Sequence, residues 1–590
     1  MNGLWYTTRT MVALHEPIED DVREELSEYD DLTAALLSRR GVRTREDAQA
    51  FLSPSYDHHI SDPFSILNME KAARRVAAAI ADGTRITVWS DYDCDGIPGG
   101  TLLHDFFKKA GANFDTYIPH RHLEGYGVSV AGVESLAEAG TNVLITVDCG
   151  ITDTKAAARA KELGIDFIIT DHHLPQNDAE GGLPDAYAIV DPKQEGETAV
   201  FRDFCGGGLA WKLACAVLKV GREEKASWAA DIPEGWEKWL LDMAALSTIA
   251  DMVPLTGENR VIAKYGLIVM RKSPRLGLQR LLKNARANQR FLTEDDVGFT
   301  IAPRVNAASR MGNPRDAFEL FTTDDETRAD VLAKELERIN RSRRSVAGAI
   351  TKAAHEKLAE RKAAGTLREV IVLGDPDWRP GLLGLVANTL AEEYERPVFL
   401  WGREGGESLK GSCRAGVSGI SLVDIMTGAA ECFAGFGGHA ASGGFTVHPE
   451  AIFTLEEKLA AAYAALPRGN TGDGVRADGE LKAHEATAEL LSRLSQLAPF
   501  GIGNEKPVFA FREVSLTRVS WFGKAEEHLK LSVTSDGFDE LEAVSFYAKR
   551  ELGPSIKTLA AGKTVNLLAS LERDQFAKGR PVRLRLVSVA

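Results

Sequence analysis

Residues 86–96 read Ile86-Thr-Val-Trp-Ser-Asp91-Tyr-Asp-Cys-Asp95-Gly96, a short apolar run followed by three aspartates at alternate positions and a glycine. Such a run, bounded by polar residues, is typical of a buried strand. Three carboxylates so close together cost stability through like-charge repulsion and lost hydration unless a cation holds them. The stretch therefore predicts a strand whose end carries part of a metal site.

Three further apolar runs share this pattern, and amphipathic helical stretches such as 154–163 separate them. The four runs are Ile86–Trp89, Val143–Val147, Phe167–Ile169 and Ala186–Val190. This alternation predicts a parallel sheet built from strand–helix–strand units. An aspartate follows each run, at Asp91, Asp148, Asp171 and Asp191. Because ligands bind beyond the carboxyl ends of strands in open parallel sheets, the four carboxylates are expected to meet at one edge.

The composition bounds the class of protein. A chain of 590 residues is too long for one core, so two to four domains are expected, and 44% apolar with 26% charged residues is ordinary for a globular protein. No apolar run is long enough for a membrane span and no signal pattern opens the chain, so a cytoplasmic protein without membrane contact is expected. Six scattered cysteines argue against a disulfide framework or zinc knuckle. The net charge of −15 argues against a protein coated in nucleic acid but leaves room for a local basic groove.

The pattern changes along the chain predict five segments. A long charged stretch without helix breakers predicts an exposed helix, and strands at 370–373 and 398–401 around a helix at 383–395 predict a second α/β unit. Alternating runs at 529–533 and 582–586 predict a small β-barrel. The segments are an N-terminal helical segment at 1–64, an α/β domain at 65–324, a connecting helix at 325–365, the second α/β domain at 366–465 and the barrel at 475–590.

Other motifs supply further ligands for the predicted metal site. They are Thr146-Val-Asp148, Asp171-His172-His173 and Ile249-Ala-Asp251. Each alone is weak evidence, because a strand-end aspartate is most often a helix cap or turn residue. Together at one sheet edge they predict a metal site, and imidazole beside carboxylates favours manganese, zinc or iron over calcium. The repeat of the tripeptide at Asp57-His58-His59 follows no strand, so we expect it to lie in a loop with a structural or incidental role.

Taken in order, these motifs resemble the DHH phosphoesterase superfamily, and more narrowly the bacterial RecJ single-strand exonucleases. The resemblance covers nearly the whole chain. The matching pieces are Asp91-Tyr-Asp-Cys-Asp95-Gly96, Pro119-His-Arg121 with Glu124-Gly-Tyr-Gly127, Thr146-Val-Asp148, Asp171-His-His173-Leu-Pro175, Ile249-Ala-Asp251, Pro303-Arg-Val-Asn306-Ala-Ala-Ser-Arg310, Lys410-Gly-Ser412-Cys-Arg414, Phe436-Gly-Gly-His439 and Pro499-Phe-Gly-Ile-Gly-Asn-Glu-Lys-Pro507.

This resemblance implies an α/β fold with a parallel-sheet DHH domain, a long connecting helix, a DHH-associated α/β domain and a C-terminal barrel of the oligonucleotide-binding (OB) type. It also implies two divalent ions, Mn²⁺ or Mg²⁺. The metal ligands carried over are Asp91, Asp93, Asp95, Asp148, His172 and Asp251, and His173 joins the catalytic set. Asp148 is expected to bridge the ions, and Asp171 is expected to orient the neighbouring imidazole. Asp91 and His173 could each instead support a metal ligand from behind or contact phosphate.

The resemblance further implies a grip on a terminal 5′-phosphate and the adjoining backbone. The matched candidates are Arg121, Arg304, Asn306, Arg310, Ser412, Arg414 and His439. Arginine suits this task because its planar fork meets phosphate in a bidentate way, although a surface ion pair is the commoner role of a single arginine.

The implied function is a metal-dependent 5′→3′ exonuclease on single-stranded DNA that releases nucleoside 5′-monophosphates in recombination and repair. The enzyme is expected to be a monomer, with a helicase and a single-strand-binding protein as candidate partners. One alternative is a DHH phosphodiesterase acting on short oligoribonucleotides, cyclic dinucleotides or pyrophosphate, for which a barrel is superfluous. The other is a binding protein with a decayed site, which the full ligand set argues against.

The C-terminal tail and a few departures complete the sequence evidence. Seven basic residues from 557 onward stand against two acidic ones, and Trp521, Phe522 or Phe576 could stack on bases, unless they belong to the barrel core. Trp89-Ser90 replaces the usual histidine–glycine, Arg379 replaces a histidine, and an extra serine enters the motif after His439. None of these departures removes a metal ligand.

Overall fold

The computed structural model describes residues 13–121, 123–175, 182–403, 406, 408–416, 419–467, 476–523, 526–535, 540–552, 556, 558–574 and 582–589. The chain forms two compact units. One comprises Met1–Glu337 with Arg476–Ala590, and the other comprises Arg338–Val475. Among the described residues, no helix is both long and apolar enough to cross a membrane.

A five-stranded parallel sheet organises the N-terminal half of the first unit. Its strands are β1 (Ile86–Ser90), β2 (Phe114–Tyr117), β3 (Val143–Val147), β4 (Asp166–Thr170) and β5 (Ala188–Val190), in the order β2-β1-β3-β4-β5. Every residue of β1 and β3 is buried, as expected of strands covered on both faces. The predicted parallel sheet is therefore confirmed, and the edge strand β2 is an addition that the sequence did not indicate.

Helices surround this sheet and continue beyond it. They are α1 (Asp20–Glu25), α2 (Asp31–Ser38), α3 (Arg45–Leu52), α4 (Tyr56–His59), α5 (Met69–Asp82), α6 (Gly96–Ala110), α7 (Val130–Glu138), α8 (Thr154–Glu162), α9 (Gly206–Glu223), α10 (Ser227–Ala230), α11 (Leu241–Ala250), α12 (Gly257–Met270), α13 (Leu276–Ala285), α14 (Glu294–Asp296), α15 (Ala302–Met311) and α16 (Arg315–Thr322). Residues of α5, α6, α9 and α11 share one large hydrophobic core with the strands.

The predicted connecting helix exists as α17 (Glu326–Ala363), which begins in the first unit and ends in the second. The second unit adds α18 (Pro380–Tyr394), α19 (Leu422–Thr427) and α20 (Leu455–Ala465). Its sheet contains β6 (Ile371–Gly374), β7 (Val398–Gly402), β8 (Leu409–Arg414), β9 (Phe433–Gly438) and β10 (Ser442–Val447), in the order β6-β7-β8-β10-β9. Only β6 and β7 pair in parallel, and the other three pairs in the sheet are antiparallel.

The C-terminal part of the first unit contains the predicted barrel. Its elements are β11 (Gly479–Glu480), α21 (Ala488–Leu494), β12 (Phe509–Phe522), β13 (His528–Thr534), β14 (Leu541–Ser545), α22 (Ala548–Glu551), β15 (Thr564–Arg573) and β16 (Val582–Val589). The order β12-β13-β14-β16-β15 closes through pairing of β15 with β12. Alternate residues of β13 and β16 are buried, so one face of each strand lines the barrel interior.

The barrel core continues into the N-terminal helices. Val22 and Leu36 of α1 and α2 belong to the same buried cluster as Phe509 and Leu529 of the barrel. The N-terminal helical segment thus gains its hydrophobic core from residues at the other end of the chain. This packing makes the two chain ends one structural body.

The repeated tripeptide Asp57-His58-His59 was expected to lie in a loop, and that expectation is wrong in detail. These residues form most of the single-turn helix α4. Asp57 pairs with Lys238 at 3.2 Å, and the Nδ1 atom of His59 accepts a hydrogen bond from the backbone of Ser55. Asp57 and His59 therefore make structural contacts away from the strand ends.

Candidate metal centre

The strand-end aspartates lie at one edge of the parallel sheet. Asp91, Asp148, Asp171 and Asp191 directly follow β1, β3, β4 and β5, and all four are buried. Parallel strands bring their carboxyl ends to the same edge, so the sheet places these side chains near one another. The arrangement is the one that the sequence indicated.

Ligand atoms from distant parts of the chain converge here in three overlapping groups. Each group holds its nitrogen and oxygen atoms within 4.8 Å of one another, and the groups are Asp91 with Asp93 and Asp148, Asp95 with His172 and Asp251, and Asp148 with His172 and His173. The Nε2 atom of His172 lies 3.2 Å from Asp148, 3.6 Å from Asp95 and 3.7 Å from Asp251. Every residue assigned from the sequence to the metals or to catalysis therefore belongs to this cluster.

Helix N-termini fix the aspartates of the first motif. Both carboxylate oxygens of Asp95 accept hydrogen bonds of 2.7 Å from the backbone of Gly206 and Gly207, at the start of α9. The Oδ1 atom of Asp93 accepts one from the backbone of Asp95 at 2.8 Å, just before α6. The positive ends of two helices therefore face the carboxylates and partly offset their repulsion.

Glycines permit the close approach of these segments. A Cβ atom at Gly96 would lie 2.3 Å from the backbone oxygen of Asp91, and one at Gly206 would lie 2.5 Å from the Cβ of Asp148. Asp148 itself has a φ of 64°, in the left-handed region that aspartate tolerates better than most residues. The glycine that ends the first motif is thus explained by a steric requirement.

The electrostatics of the cluster favour a cation. Burial raises the pKa of Asp91, Asp95 and Asp148, and neighbouring carboxylates raise them further, with that of Asp95 reaching about 6. Burial and the charge of Asp95 raise the pKa of Asp251 to about 9. The Oδ1 atom of Asp91 is buried without a hydrogen-bond donor among the described residues. These features fit divalent ions such as Mn²⁺ or Mg²⁺, because a cation would satisfy the orphaned oxygen and reverse the repulsion.

His173 sits in a different environment from the metal-ligating candidates. Burial lowers its pKa, but the hydrogen bond and charge of Asp171 outweigh this effect and raise the pKa to about 9. Its Nδ1 atom lies 2.8 Å from Asp171 and 3.1 Å from the hydroxyl of Tyr126. The same hydroxyl donates to the backbone oxygen of Asp148 at 3.2 Å. Tyr126 belongs to a motif quoted from the sequence, but the sequence assigned it no role. Its contacts with His173 and with the backbone of Asp148 were therefore not predicted.

The candidate phosphate-binding residues of the first unit have mixed surroundings. The guanidinium of Arg121 lies 5.0 Å from the ring centre of Tyr92, inside the first aspartate motif, and its charge partly offsets the rise in the pKa of Asp91. Asn306 accepts a hydrogen bond from the backbone of Cys94 at 2.9 Å, so it supports the loop that carries the aspartates. Arg304 forms an ion pair of 2.8 Å with Glu337, and Arg310 lies half-buried on α15. Arg121 and Asn306 thus contact the first aspartate motif, and the charge of Arg310 acts on Tyr92 in the same motif.

The candidates of the second unit share one sheet. Ser412 of β8 is paired with Gly444 of β10, which is paired with Gly437 of β9. A Cβ atom at Gly437 would meet nothing within 4 Å, and one at Gly444 would meet only a backbone oxygen at 3.8 Å. The backbone at Gly437 and Gly444 is therefore accessible, and it lies beside the hydroxyl of Ser412.

Arg414 and His439 lie in the same sheet and the turn beside it. Arg414 follows Ser412 by two residues, so the two side chains share a face of β8. Its guanidinium donates to the backbone oxygen of Cys413 at 2.7 Å. His439 follows β9 and is exposed, with its backbone bonded to Ser442 at 2.7 Å. The sheet thus carries a cation and an exposed imidazole near open glycine backbone.

Comparison with known proteins identifies the family. Residues 85–248 match the DHH family, N-terminal domain, residues 367–465 match the DHHA1 domain, and residues 477–588 match the RecJ OB domain. The chain is 32% identical over 581 residues to the single-stranded-DNA-specific exonuclease RecJ of Bacillus subtilis, a match covering 98% of this chain and 70% of that protein. The chain belongs to the RecJ family. The resemblance drawn from the motifs is thereby confirmed.

Two further comparisons agree with this family membership. The RecJ exonuclease of Haemophilus influenzae is 30% identical over 534 residues, covering 89% of this chain and 90% of the relative. The crystal structure of Thermus thermophilus RecJ in complex with Mn²⁺ superimposes with a TM-score of 0.79 at 26% identity, covering 98% of this chain and 78% of the other. The RecJ fold, with DHH, DHHA1 and OB domains, is therefore the fold of this chain.

Proposed function

We propose that the chain is a metal-dependent exonuclease that degrades single-stranded DNA from its 5′ end and releases nucleoside 5′-monophosphates in recombination and repair. The observation that carries this proposal is the cluster of five aspartates and two histidines beside the strand ends, of which four are buried and three are half-buried. The RecJ relatives are named single-stranded-DNA-specific exonucleases, and their similarity over most of the chain supports the transfer of that activity.

The cluster divides into two candidate cation positions. Asp91 and Asp93 would hold one ion, and Asp95, His172 and Asp251 would hold the other. Asp148 belongs to two of the three ligand groups, which supports its assignment as the bridge. When bound, two divalent ions supply charge neutralisation for the phosphodiester and an activated water.

The chain's own residues supply orientation and a proton donor. Asp171 holds the ring of His173 through Nδ1, and its hydrogen bond and negative charge favour the protonated imidazole. The remaining ring nitrogen, Nε2, would then donate a hydrogen bond to a phosphate oxygen. Arg121 offers a second cationic donor beside Asp91, and Asn306 holds the aspartate loop in place.

We assign catalysis to residues 65–324 and the grip on the substrate to residues 366–465 and 475–590. In the first of these gripping regions, Ser412, Arg414 and His439 would contact backbone phosphate, and Gly437 and Gly444 would admit the strand. Because single-stranded DNA arises from unwound duplex, a helicase and a single-strand-binding protein are suitable partners. We also propose that the protein is a monomer that acts in the cytoplasm.

An aromatic cluster on the barrel supports a substrate longer than a dinucleotide. The cluster comprises Phe522, His528, Phe546 and Tyr547, with ring centroids of Phe522 and His528 5.0 Å apart and those of His528 and Tyr547 4.9 Å apart. The guanidinium of Arg585 lies 4.3 Å from the ring centre of Phe546. The rings meet in tilted or edge-to-face geometry and none of them is buried. Solvent-accessible aromatic rings beside a cation are typical of surfaces on which the bases of a single strand stack, and a small-substrate phosphodiesterase has no use for such a surface.

Trp521 and Phe522 were both candidates for stacking on bases, and the structure places them in different surroundings. Trp521 packs against the barrel core, whereas Phe522 belongs to the aromatic cluster. Lys557, Phe576, Lys578 and Arg580, which the sequence also offered for binding, lie outside the described residues. Arg583 pairs with Glu572 at 2.6 Å, so its charge is already partnered.

We expect Phe522→Ala to weaken binding of single-stranded DNA by about 1–3 kcal/mol, because one stacked base would lose its aromatic partner. Fluorescence anisotropy in EDTA measures this affinity without hydrolysis. Phe453→Ala removes a highly exposed aromatic ring of the second unit and should leave binding unchanged. A lower melting temperature with unchanged DNA affinity would show that the aromatic cluster serves only the fold.

The decisive test of the proposed function uses labelled oligonucleotides. A 5′-phosphorylated single strand should be shortened from its 5′ end in Mn²⁺ or Mg²⁺, with nucleoside 5′-monophosphates as products and no reaction in EDTA. Blocking the 5′ end should protect the strand, and blocking the 3′ end should not. Matching RNA, a 5′-hydroxyl strand and a cyclic dinucleotide define the substrate range. Shortening from the 3′ end, or faster turnover of the cyclic dinucleotide, would overturn the proposal.

A further inference from the structure

The loop that carries Asp251 is anchored by the C-terminal part of the chain. Asp251 follows α11, and Met252 has a φ of 63° as the chain turns toward α12. At the far end of this loop, the backbone N–H of Leu255 donates to the carbonyl of Ile502 at 2.8 Å. The candidate metal ligand Asp251 is thus four residues before Leu255, whose hydrogen bond joins the loop to the segment that precedes the barrel.

The partner segment is a turn closed by its own hydrogen bonds. The backbones of Gly501 and Asn504 bond to each other in both directions, at 2.9 and 3.0 Å. The buried amide of Asn504 donates to Leu497 at 2.8 Å and Pro499 at 2.7 Å. Its Oδ1 atom accepts 2.6 Å from Arg40, beside the N-terminal helices. These contacts make the turn 501–504 a fixed surface, in contrast to a flexible linker.

The turn and the loop are packed without spare volume. A Cβ atom at Gly501 would lie 2.8 Å from the Cδ1 atom of Leu255, and one at Gly503 would lie 3.3 Å from Thr256 and 3.5 Å from Pro254. Leu255 is only 2% exposed. A displacement of the turn should therefore also displace the loop that begins at Asp251.

Arg260 joins the same two regions a second time. It lies on α12, immediately after the loop, and is 2% exposed. Its guanidinium donates to the carbonyl of Phe51 at 2.7 Å and to that of Ala498 at 3.1 Å, and it lies 3.8 Å from the ring centre of Phe51. The buried guanidinium therefore holds two distant segments in fixed positions relative to α12. Moving either segment away would leave a buried positive charge without its hydrogen-bond acceptor, which is energetically costly.

We propose that the turn 501–504, with Arg260, positions the Asp251 loop and thereby sets the affinity of the metal centre for divalent ions. Four residues separate this turn from β12, the strand that ends at the aromatic cluster. The barrel therefore has a second role besides gripping DNA, since its attachment completes the metal centre. This inference rests on the assignment of Asp251 as a metal ligand in the proposed function.

The test is Gly501→Ala, which introduces one methyl group against Leu255. We expect affinity for Mn²⁺, measured by electron paramagnetic resonance without DNA, to fall about 10-fold, as for other residues that orient metal ligands. Hydrogen exchange at the Leu255 amide should become faster. Affinity for single-stranded DNA in EDTA should be unchanged. Gly479→Ala is the matched control, because its Cβ atom would meet Phe509 at an ordinary 3.6 Å in the same barrel.

A double mutant separates positioning from general destabilisation. In Leu255→Ala the new methyl group has room, so adding Gly501→Ala should cost little further Mn²⁺ affinity. Equal Mn²⁺ affinities of the wild type and Gly501→Ala, or an undiminished effect in the Leu255→Ala background, would overturn the positioning role. A wild-type chain that bound no Mn²⁺ would instead overturn the metal assignment of the proposed function.

Discussion

Replacing Asp148 with asparagine should abolish Mn²⁺-dependent hydrolysis of single-stranded DNA and should stabilise the metal-free protein. Asp148 contributes to two ligand groups, so its loss removes ligation at both candidate cation positions. The metal ions stabilise the transition state by several kcal/mol, so losing them should lower the rate of hydrolysis about 10³-fold or more. Asparagine is chosen because it keeps the side-chain shape and tolerates the left-handed backbone at this position.

The expected gain in stability of the metal-free Asp148→Asn variant follows from the raised pKa of Asp148. Burial and the charge of Asp95 hold this pKa above its unfolded value. A group of this kind stabilises the fold only below its unfolded pKa, and the contribution is lost as the pH rises through the folded pKa. At neutral pH the buried carboxyl therefore destabilises the metal-free fold, and a neutral amide removes that cost.

Thermal unfolding with and without Mn²⁺ measures both consequences. In EDTA, Asp148→Asn should melt at a higher temperature than the wild type. Mn²⁺ should raise the melting temperature of the wild type by mass action and should have little effect on the variant. Asp57→Asn, in the repeated tripeptide, is the control and should behave like the wild type. Retained turnover in Asp148→Asn would contradict the assignment of the bridging ligand.

The metal centre could be predicted from the sequence because the topology of the sheet brings most of its ligands together. Short apolar runs separated by amphipathic stretches specify a parallel sheet, and a parallel sheet places its strand ends together. Asp91 and Asp148 could therefore be brought together without any knowledge of their contacts. Asp251 lies at the end of a helix outside this pattern, so the alternation of strands and helices did not by itself place it at this edge.

The contacts that support the cluster could not be predicted in the same way. Asn306 was expected to bind substrate, yet its side chain holds the backbone of Cys94. Arg304 was a candidate for phosphate, yet Glu337 pairs with it. Both are contacts between side chains and partners fixed by tertiary packing, and local sequence periodicity does not encode them. The same holds for the shared core of the N-terminal helices and the barrel.

A triple-glycine run that the sequence evidence did not assign provides the second large expected effect. Gly206, Gly207 and Gly208 open α9, and the first two donate their N–H groups to Asp95. We expect Gly206→Ala to reduce hydrolysis about 100-fold, because a misplacement near 1 Å in a catalytic group has an effect of this size. The new Cβ atom would lie 2.8 Å from the backbone Cα of Asp148, which has no flexible way to yield.

Gly208→Ala is the matched control, since it lies two residues further along the same helix. Its Cβ atom would meet Phe204 and Cys205 at ordinary distances of 3.5 and 3.6 Å. Replacing a helical glycine with alanine at such a site should stabilise the fold by about 0.5–1 kcal/mol and leave activity intact. The same substitution should thus be harmful at one glycine and favourable at the other, as measured by Mn²⁺ affinity and denaturant unfolding. Equal Mn²⁺ affinities for the two variants would contradict the view that Gly206 sets the position of Asp148.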